Sequence, residues 1–520
     1  MYKQILILIV CVCAQIAEAQ NLSRQGVLKF SVRSSGPIIQ EGQVKGYYYF
    51  YKVDKQDRKN DNYLLSLYDE NLREINTLEI TRPKTYVLVD AVFNGEAFGF
   101  LFFDHRGRMT ELISYDHSLK QIGTVVRKVN NKHMIASYNA MVNGVEPSQA
   151  YLVPISNKGF LYYGIKEGTK YKYEIQCYDN ALKVLWSDYA GENANVEMAS
   201  EGFQSGDYVG SMITRKKNLT TRDLEFDLLV HQASTGKELF RVPMMTDKHS
   251  ISFSDVFFDE AANNFVVFGE YNDKEDRELS AASLGFMTLT LDLTGKIINQ
   301  KINSWAKEIS TAAPVNERGQ FDGNNSRILF HDFVRTDDGK IFAIGEQYKK
   351  AANAAGIAGN VLLAAVGGSA GSFSNTQLNV YNMVVFEFTS DYTIKKVHVF
   401  EKDKNITALP SGSEYLSPKL VSFYAKAHGG FDYAFTQRAP DKSTFHVSYV
   451  NYDREKGQAS KNVLRSIVYT PEKTFTVDGI NLDRKSSFYF VNRAKDGYVL
   501  VTEYFKKERR LDSRLEKINY

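Results

Sequence analysis

Acidic side chains beside predicted strands are the residues of this chain whose types best suit catalysis. An acid and a second carboxylate, acting as base or nucleophile, could together cleave a glycosidic bond. The candidates are Asp90, Asp255, Glu270, Asp332 and Glu346. Spacing along the chain cannot show which of them meet, so the catalytic residues stay unknown, and a catalytic role is the less favoured interpretation.

Glu270 and Glu346 share a local pattern that indicates structure rather than catalysis. Each follows a glycine at the end of an apolar run, in Phe268-Gly269-Glu270-Tyr271 and Ile344-Gly345-Glu346-Gln347-Tyr348. A short pattern that recurs within one chain is typical of a repeating structural unit. We therefore predict that the two glutamates mark equivalent strands.

Segment 367–371 reads Gly-Gly-Ser-Ala-Gly and matches the nucleophile-elbow motif around Ser369. That motif needs a strand before the serine and a helix after it. The following residues, Ser372 to Asn379, are polar and non-helical, and the chain lacks alternating β and α segments. Ser369 is therefore not predicted to be a nucleophile.

Metal-ligand patterns are equally weak. The nine histidines are spread singly, and none has the spacing that puts two ligands on one element. The Asp-rich segments 322–325 and 337–340 resemble calcium loops but lack the downstream glutamate, so turn chemistry explains them better. We expect no metal and no cofactor.

The first 19 residues predict export. Lys3 gives a positive start, Ile5 to Ala14 is an apolar run, and Ala17-Glu18-Ala19 suits cleavage after Ala19. The apolar run is shorter than the roughly 20 residues of a membrane span. We expect a periplasmic, extracellular or cell-surface protein, with a lipoprotein attached at Cys11 as the alternative.

Cleavage after Ala19 would also remove Cys11 and Cys13. Cys177 is then the remaining cysteine, so the mature chain is predicted to have no intramolecular disulfide. Its stability must come from packing, for which residues 20–520 are ample.

Overall charge disfavours nucleic acid as a partner. The chain has 64 basic and 61 acidic residues, a net charge of +3, and no basic stripe that would match a phosphate backbone. With 32 Tyr and 33 Phe but 10 Pro, the composition favours pleated, half-buried strands.

Those strands recur as a unit that ends in a tight turn. The turn reads Tyr68-Asp69-Glu70-Asn71-Leu72 and returns at 115–119 and 178–182, with looser copies at 231–237, 291–296, 388–393 and 451–457. The aspartate can accept backbone N–H groups two residues on and so pre-form the turn. A period of 50 to 60 residues with about four strands predicts an all-β fold, a β-propeller of seven or eight four-stranded blades in one domain over 20–520. Two smaller propellers, or a propeller with a β-sandwich, would give the same pattern.

An uncharged Ala/Gly-rich insertion at about 349–380 interrupts this repeat. A loop or a short helix over one face is the plainer interpretation. The more specific interpretation is that segment 351–374 makes a peripheral contact with a membrane or a contact with a partner, because uncharged apolar surface is rarely exposed without a function.

The leader, the Tyr-Asp-x-x-Leu turns and the Gly-Glu strand ends together make nearly the whole mature chain resemble secreted β-propeller-like proteins of Bacteroidota that carry a domain of unknown function. The resemblance implies a propeller and supplies no catalytic residues. Trp-Asp repeat endings and regular Asp-boxes of other propeller families are absent from the sequence.

Together these features predict an exported, non-catalytic binding or scaffold protein with an unknown ligand, a protein or a glycan being a suitable partner. One alternative is a carbohydrate-active enzyme, a glycoside hydrolase or lyase with axial carboxylates. The other is a membrane-associated assembly component.

Overall fold

The computed structural model describes residues 21–31, 34–40, 42–142, 150–192, 196–218, 224–276, 282–355, 357–358, 374–453, 461–482 and 486–519. The predicted signal peptide, Ser369 and most of the uncharged insertion lie outside these ranges.

Strands dominate the described residues, which form eight antiparallel sheets with four strands each, one of them extended by a fifth. We number these sheets blades 1 to 8. Seven blades consist of four strands consecutive in sequence, and this repetition is that of a β-propeller. The chain is thus an eight-bladed β-propeller, which confirms the predicted fold and selects eight of the seven or eight blades that the periodicity predicts.

The first strand of the chain, β1 (Asn21–Gln25), belongs to blade 8. Blade 1 contains β2 (Ser35–Gln40), β3 (Gln43–Asp54), β4 (Asn60–Asp69) and β5 (Glu74–Pro83). Blade 2 contains β6 (Tyr86–Phe93), β7 (Ala97–Asp104), β8 (Met109–Asp116) and β9 (Gln121–Lys128). Blade 3 contains β10 (Leu152–Ile155), β11 (Gly159–Ile165), β12 (Tyr173–Asp179) and β13 (Val184–Tyr189). Blade 4 contains β14 (Val196–Ser205), β15 (Tyr208–Lys216), β16 (Glu225–Gln232) and β17 (Glu238–Pro243).

Blade 5 contains β18 (His249–Asp259), β19 (Asn264–Asp273), β20 (Gly285–Leu291) and β21 (Ile297–Ser304). Blade 6 contains β22 (Arg327–Arg335), β23 (Ile341–Ala352), β24 (Thr376–Phe388) and β25 (Ile394–Phe400), with β26 (Asn405–Ala408) added beside β24. Blade 7 contains β27 (Tyr433–Arg438), β28 (Phe445–Asp453), β29 (Lys461–Thr470) and β30 (Thr474–Asn481). Blade 8 contains β31 (Phe488–Arg493), β32 (Tyr498–Phe505) and β33 (Arg510–Lys517), completed by β1.

Among the described residues, two α-helices lie between blades in sequence. Helix α1 (Lys132–Val142) lies between blades 2 and 3, and helix α2 (Pro418–Ala427) between blades 6 and 7. Helix α2 begins at a signal that the sequence displays: the Ser417 side chain accepts the Leu420 N–H, and proline occupies the first turn. A single π-turn covers Trp305–Ile309, and a 3₁₀ turn covers Ser413–Tyr415. Within the described residues, no helix combines the length and apolar character of a membrane span.

Burial changes across each sheet. The second strand of blade 2, β7, is buried along its whole length, and its sequence is a continuous apolar run from Ala97 to Phe103. The fourth strand, β9, alternates exposed and half-buried residues. A strand covered on both faces needs apolar residues throughout, whereas an outer strand needs them on one face.

The turn between the third and fourth strands takes one conformation in several blades. In blade 1, Asp69 accepts the backbone N–H groups of Asn71 and Arg73 at 2.8 and 2.9 Å, which confirms the predicted role of this aspartate. Asp116 and Asp292 make the equivalent bonds in blades 2 and 5. The bulge that follows fits a three-residue hairpin loop.

Compact packing divides the chain into two units. One comprises residues 1–126, 434–449 and 461–520, and it holds most of blades 1, 2, 7 and 8. The other comprises residues 127–433 and 450–460, with blades 3 to 6 and helix α2. In the first unit β1 pairs with β33, from Asn21 opposite Arg514 to Gln25 opposite Arg510, so the first and the last of the described strands belong to one blade.

Candidate functional site

An aspartate at a β-bulge recurs in the first strand of three blades. The register shifts immediately before Asp90 in β6, Asp255 in β18 and Asp332 in β22. Each carboxylate accepts the N–H of the next residue, at 3.1, 2.8 and 2.7 Å respectively. The three candidate aspartates are therefore equivalent structural positions.

The residue that precedes each aspartate is the extra residue of the bulge, and it differs among blades. It is Val89 in blade 2, Ser254 in blade 5 and His331 in blade 6. Bulges re-aim side chains and are over-represented beside functional sites. Ser254 and His331 both contribute to one cavity of the second unit.

That cavity has a volume of about 730 Å³ and is formed by blades 4, 5 and 6 with helix α2. The first strands of these blades are neighbours, β14 contacting β18 and β18 contacting β22. The cavity is lined by residues of these strands, of β15 and β16 and of helix α2, and by two residues that lie outside the strands and helices. The lining residues are Ala150, Ser200, Glu201, Gly202, Met212, Thr214, Leu224, Phe226, Ser252, Ser254, Asp255, Val256, Leu329, Phe330, His331, Leu420, Phe423 and Lys426. Its size is that of a small-molecule pocket.

The lining of the cavity includes polar residues. Asp255 and the hydroxyl groups of Ser252 and Ser254 come from β18, and Lys426 comes from the last turn of helix α2. The Lys426 ammonium donates to the Phe330 carbonyl at 2.9 Å, beside the bulge of β22. Burial lowers the pKa of Lys426, although the nearby carboxylates of Asp255 and Asp332 act in the opposite direction.

The lining also includes apolar residues. Leu420 and Phe423 project from helix α2, while Phe226 and Met212 project from blade 4. Helix α2 is anchored because its Val421 and Ala425 pack against Tyr348 and other buried residues of blade 6. An apolar wall with a few convergent polar groups is the usual arrangement of a ligand-binding pocket.

A second group of charged residues lies deep in the same unit. Glu346 of β23 and Lys402, from the segment after β25, are both fully buried, with Oε1 and Nζ 3.0 Å apart. Lys402 also contacts Asp432, just before β27. The Glu346 carboxylate further accepts the N–H groups of Asp432 and Tyr433, at 3.1 and 3.3 Å.

These contacts shift the pKa values of the charged residues in this cluster. Burial alone would raise the pKa of Glu346, but the Lys402 ammonium and His331 outweigh it and lower that pKa. Burial and repulsion from Glu346 raise the pKa of Asp432 to about 6, against the attraction of Lys402. Burial lowers the pKa of His331. The cluster fastens three segments and leaves Glu346 inaccessible to a substrate.

Glu270 occupies the equivalent strand of blade 5. Its carboxylate accepts the Ser283 hydroxyl at 2.7 Å and lies 3.1 Å from the Lys419 ammonium of helix α2. The Trp305 indole donates to the same Ser283 at 3.1 Å. Gly-Glu is thus a strand signature with a lysine partner in both blades, in agreement with the sequence interpretation.

The structure brings one of the five acidic candidates, Asp255, to the cavity wall. Asp332 accepts the Tyr433 hydroxyl at 3.2 Å, and Glu270 and Glu346 are held in ion pairs. Sequence reasoning missed Lys426 and the apolar face of helix α2, whose Ser-Pro start was the available signal. Among the described residues, no three His, Cys, Asp or Glu side chains are grouped to hold a metal ion.

Comparisons with solved structures find β-propellers at very low identity. A europium-containing methanol dehydrogenase is 11% identical over 92% of this chain and 84% of its own, with a TM-score of 0.43. The lignostilbene dioxygenase of Pseudomonas brassicacearum is 11% identical over 95% of this chain and 92% of its own, with a TM-score of 0.37. With TM-scores of 0.43 and 0.37, these similarities carry no argument about this chain.

A search of curated protein sequences finds no match. A match to the Family of unknown function (DUF6770) covers residues 1–519. The chain therefore belongs to that family.

Proposed function

We propose that this protein is a binding protein that holds a small amphipathic molecule in the cavity of blades 4 to 6. The carrying observation is the mixed lining of the cavity, which combines apolar side chains, among them Leu420 and Phe423, with the polar residues Asp255 and Lys426. A ligand with an apolar body and one hydrogen-bonding end would match this lining. In this proposal the protein is non-catalytic, and the cavity of blades 4 to 6 is its binding site.

The buried ion pairs weigh against the carbohydrate-active alternative. Glu270 forms an ion pair with Lys419, and Glu346 forms one with Lys402. We infer that carboxylates paired in this way have a structural role rather than a catalytic one. Export and membrane contact through 351–374 remain part of the proposal on the strength of the leader and the uncharged composition.

Binding of 1-anilinonaphthalene-8-sulfonate to the native protein tests the cavity, because this probe has an apolar body and an anionic end. We expect saturable binding of one molecule per chain. The variant Leu420→Trp fills the cavity and should weaken that binding at least tenfold. Tyr424→Trp is the matched control, since Tyr424 is exposed on the same helix and is not part of the cavity wall.

Circular dichroism and thermal unfolding establish that both variants are folded. Absence of saturable binding to the native protein, or equal affinities of Leu420→Trp and the parent, would overturn the proposal.

A further inference from the structure

Lys426 differs from two buried lysines near helix α2, Lys419 and Lys402, in what its ammonium contacts. Lys419, two turns earlier on the same helix, is paired with Glu270 at 3.1 Å. Lys402 lies between Glu346 and Asp432. Lys426 instead donates to a neutral acceptor, the Phe330 carbonyl, at 2.9 Å. A carbonyl stabilises an ammonium less than a contacting carboxylate does.

The position of Lys426 also differs, because this side chain is exposed within the cavity. The ends of Lys419 and Lys402 are enclosed. A molecule in the cavity could therefore reach the Lys426 nitrogen, while the apolar residues Leu420 and Phe423 hold its body. The protein atoms packed around the amine lower the pKa of Lys426, and a lowered pKa is the condition under which lysines act as nucleophiles.

Proton-transfer groups accompany the amine. Asp255 lines the same cavity as Lys426, and its carboxylate is one of those that act to raise the pKa of the amine. The hydroxyl groups of Ser252 and Ser254 lie on the same strand as Asp255. Amine addition to a carbonyl needs such groups, because a proton must leave the nitrogen and another must reach the departing oxygen.

We propose that Lys426 is a carbonyl-reactive amine and that the cavity takes an apolar aldehyde or ketone, which Lys426 binds as a reversible imine. The proposal rests on the proposed binding function of this cavity. The ammonium first gives one proton to Asp255 or solvent. The neutral nitrogen then adds to the carbonyl carbon, and the carbinolamine loses water to form the C=N bond. Water is the only product released, and no oxidant or reductant takes part.

Reductive trapping tests this step. The native protein is incubated with hexanal at neutral pH in the presence of cyanoborohydride, and the modified lysines are identified by peptide mass mapping. We expect Lys426 to be modified at least tenfold faster than Lys419 and than Lys507, which is exposed at the turn between β32 and β33. Leu420→Trp should slow modification of Lys426 and leave that of Lys507 unchanged.

Lys426→Arg retains the positive charge and removes the nucleophile, so it should abolish the fast phase of hexanal incorporation, whereas Lys419→Arg should not. Binding of the anilinonaphthalene probe is measured on the same samples. Probe binding with equal labelling of Lys426 and Lys507 would overturn the imine while the binding function stands. Loss of both signals would overturn the binding function itself.

Discussion

Leucines in a left-handed backbone conformation close the blade turns. Leu72, Leu119 and Leu182 have φ values of 64°, 64° and 61°, a region in which glycine is the usual residue. All three side chains are buried at 4 to 5% exposure. Left-handed backbone costs a leucine about 1–2 kcal/mol, which burial of its side chain, worth about 1.5–3 kcal/mol, offsets.

This balance predicts an unusual order of stabilities at Leu119. Leu119→Ala should destabilise by about 2–4 kcal/mol, as truncation of a buried leucine does. Leu119→Gly should destabilise by about 1 kcal/mol less than alanine, since glycine relieves the backbone cost. Urea unfolding of both variants measures the order. At the buried Leu112 of β8, where the backbone is extended, glycine should be the worse of the two; the same order at both sites would refute the argument.

His446 makes the first unit sensitive to acid. Burial, and secondarily Arg493, lowers its pKa to about 3. An unfolded histidine has a pKa near 6.5, so between about pH 3 and 6.5 the unfolded chain binds the extra proton and stability falls with falling pH. His446→Gln should reduce the loss of stability between pH 7 and 5 by about 1–2 kcal/mol.

Denaturant titrations at both pH values measure that difference. His117→Gln is the control, because His117 is exposed, and its pH dependence should equal the parent's. An unchanged pH dependence in His446→Gln would contradict the prediction.

The thiol of Cys177 should be inert in the folded protein. Burial raises its pKa to about 12, and the thiolate is the reactive form. We expect iodoacetamide at pH 8 to leave the Cys177 peptide unmodified in the native protein and to modify it fully in denaturant, as peptide mapping would show. Rapid labelling of the native protein would mean that blade 3 opens readily.

At the scale of elements, the buried cluster joins β23, the segment after β25 and the start of β27 through Glu346, Lys402 and Asp432. Removing the only cation among these three leaves two buried carboxylates in contact. Lys402→Met should therefore destabilise by about 3–5 kcal/mol. Because Glu346 and Asp432 then lack their counter-charge, their pKa values should rise, and acidification should recover part of the loss.

Thermal unfolding of Lys402→Met across pH 5 to 8 measures both effects. The triple variant with Glu346→Gln and Asp432→Asn removes the uncompensated charges and should recover most of the stability. A triple variant no more stable than Lys402→Met would show that the cluster acts through packing rather than charge.

Strands and turns were predictable because their signals are local. Asp69 accepts backbone groups within four residues, and β7 displays its burial as an apolar run. The cavity was not predictable from the sequence, because the residues that line it, such as Asp255, Phe330 and Lys426, come from segments far apart in sequence. Helix α2 escaped prediction as a short segment among strands, despite its Ser417-Pro418 start. The bulges were hidden since each depends on how a strand pairs with its neighbour.

At the scale of the whole molecule, blade 8 depends on both ends of the chain. Removing β1 from the protein that begins at Gln20, by starting it at Val27, exposes the β33 edge. Five paired positions are lost, so we expect several kcal/mol of destabilisation at about 0.5–1.5 kcal/mol per hydrogen bond. The free edge should also promote self-association. Thermal unfolding and light scattering measure the two effects; an unchanged unfolding temperature would show that β33 does not need β1.

The pairing of β1 with β33 also implies a delay during biosynthesis, because the two strands are synthesised at different times. At about 5–20 residues per second, roughly 25 to 100 s pass between the synthesis of β1 and that of its partner. During this interval β1 lacks β33, the strand with which it pairs. The other blades can form from strands that are consecutive in sequence. Among the described strands, the earliest to be made thus belongs to a blade that β33 completes, and a factor that shields short extended segments would act during this interval.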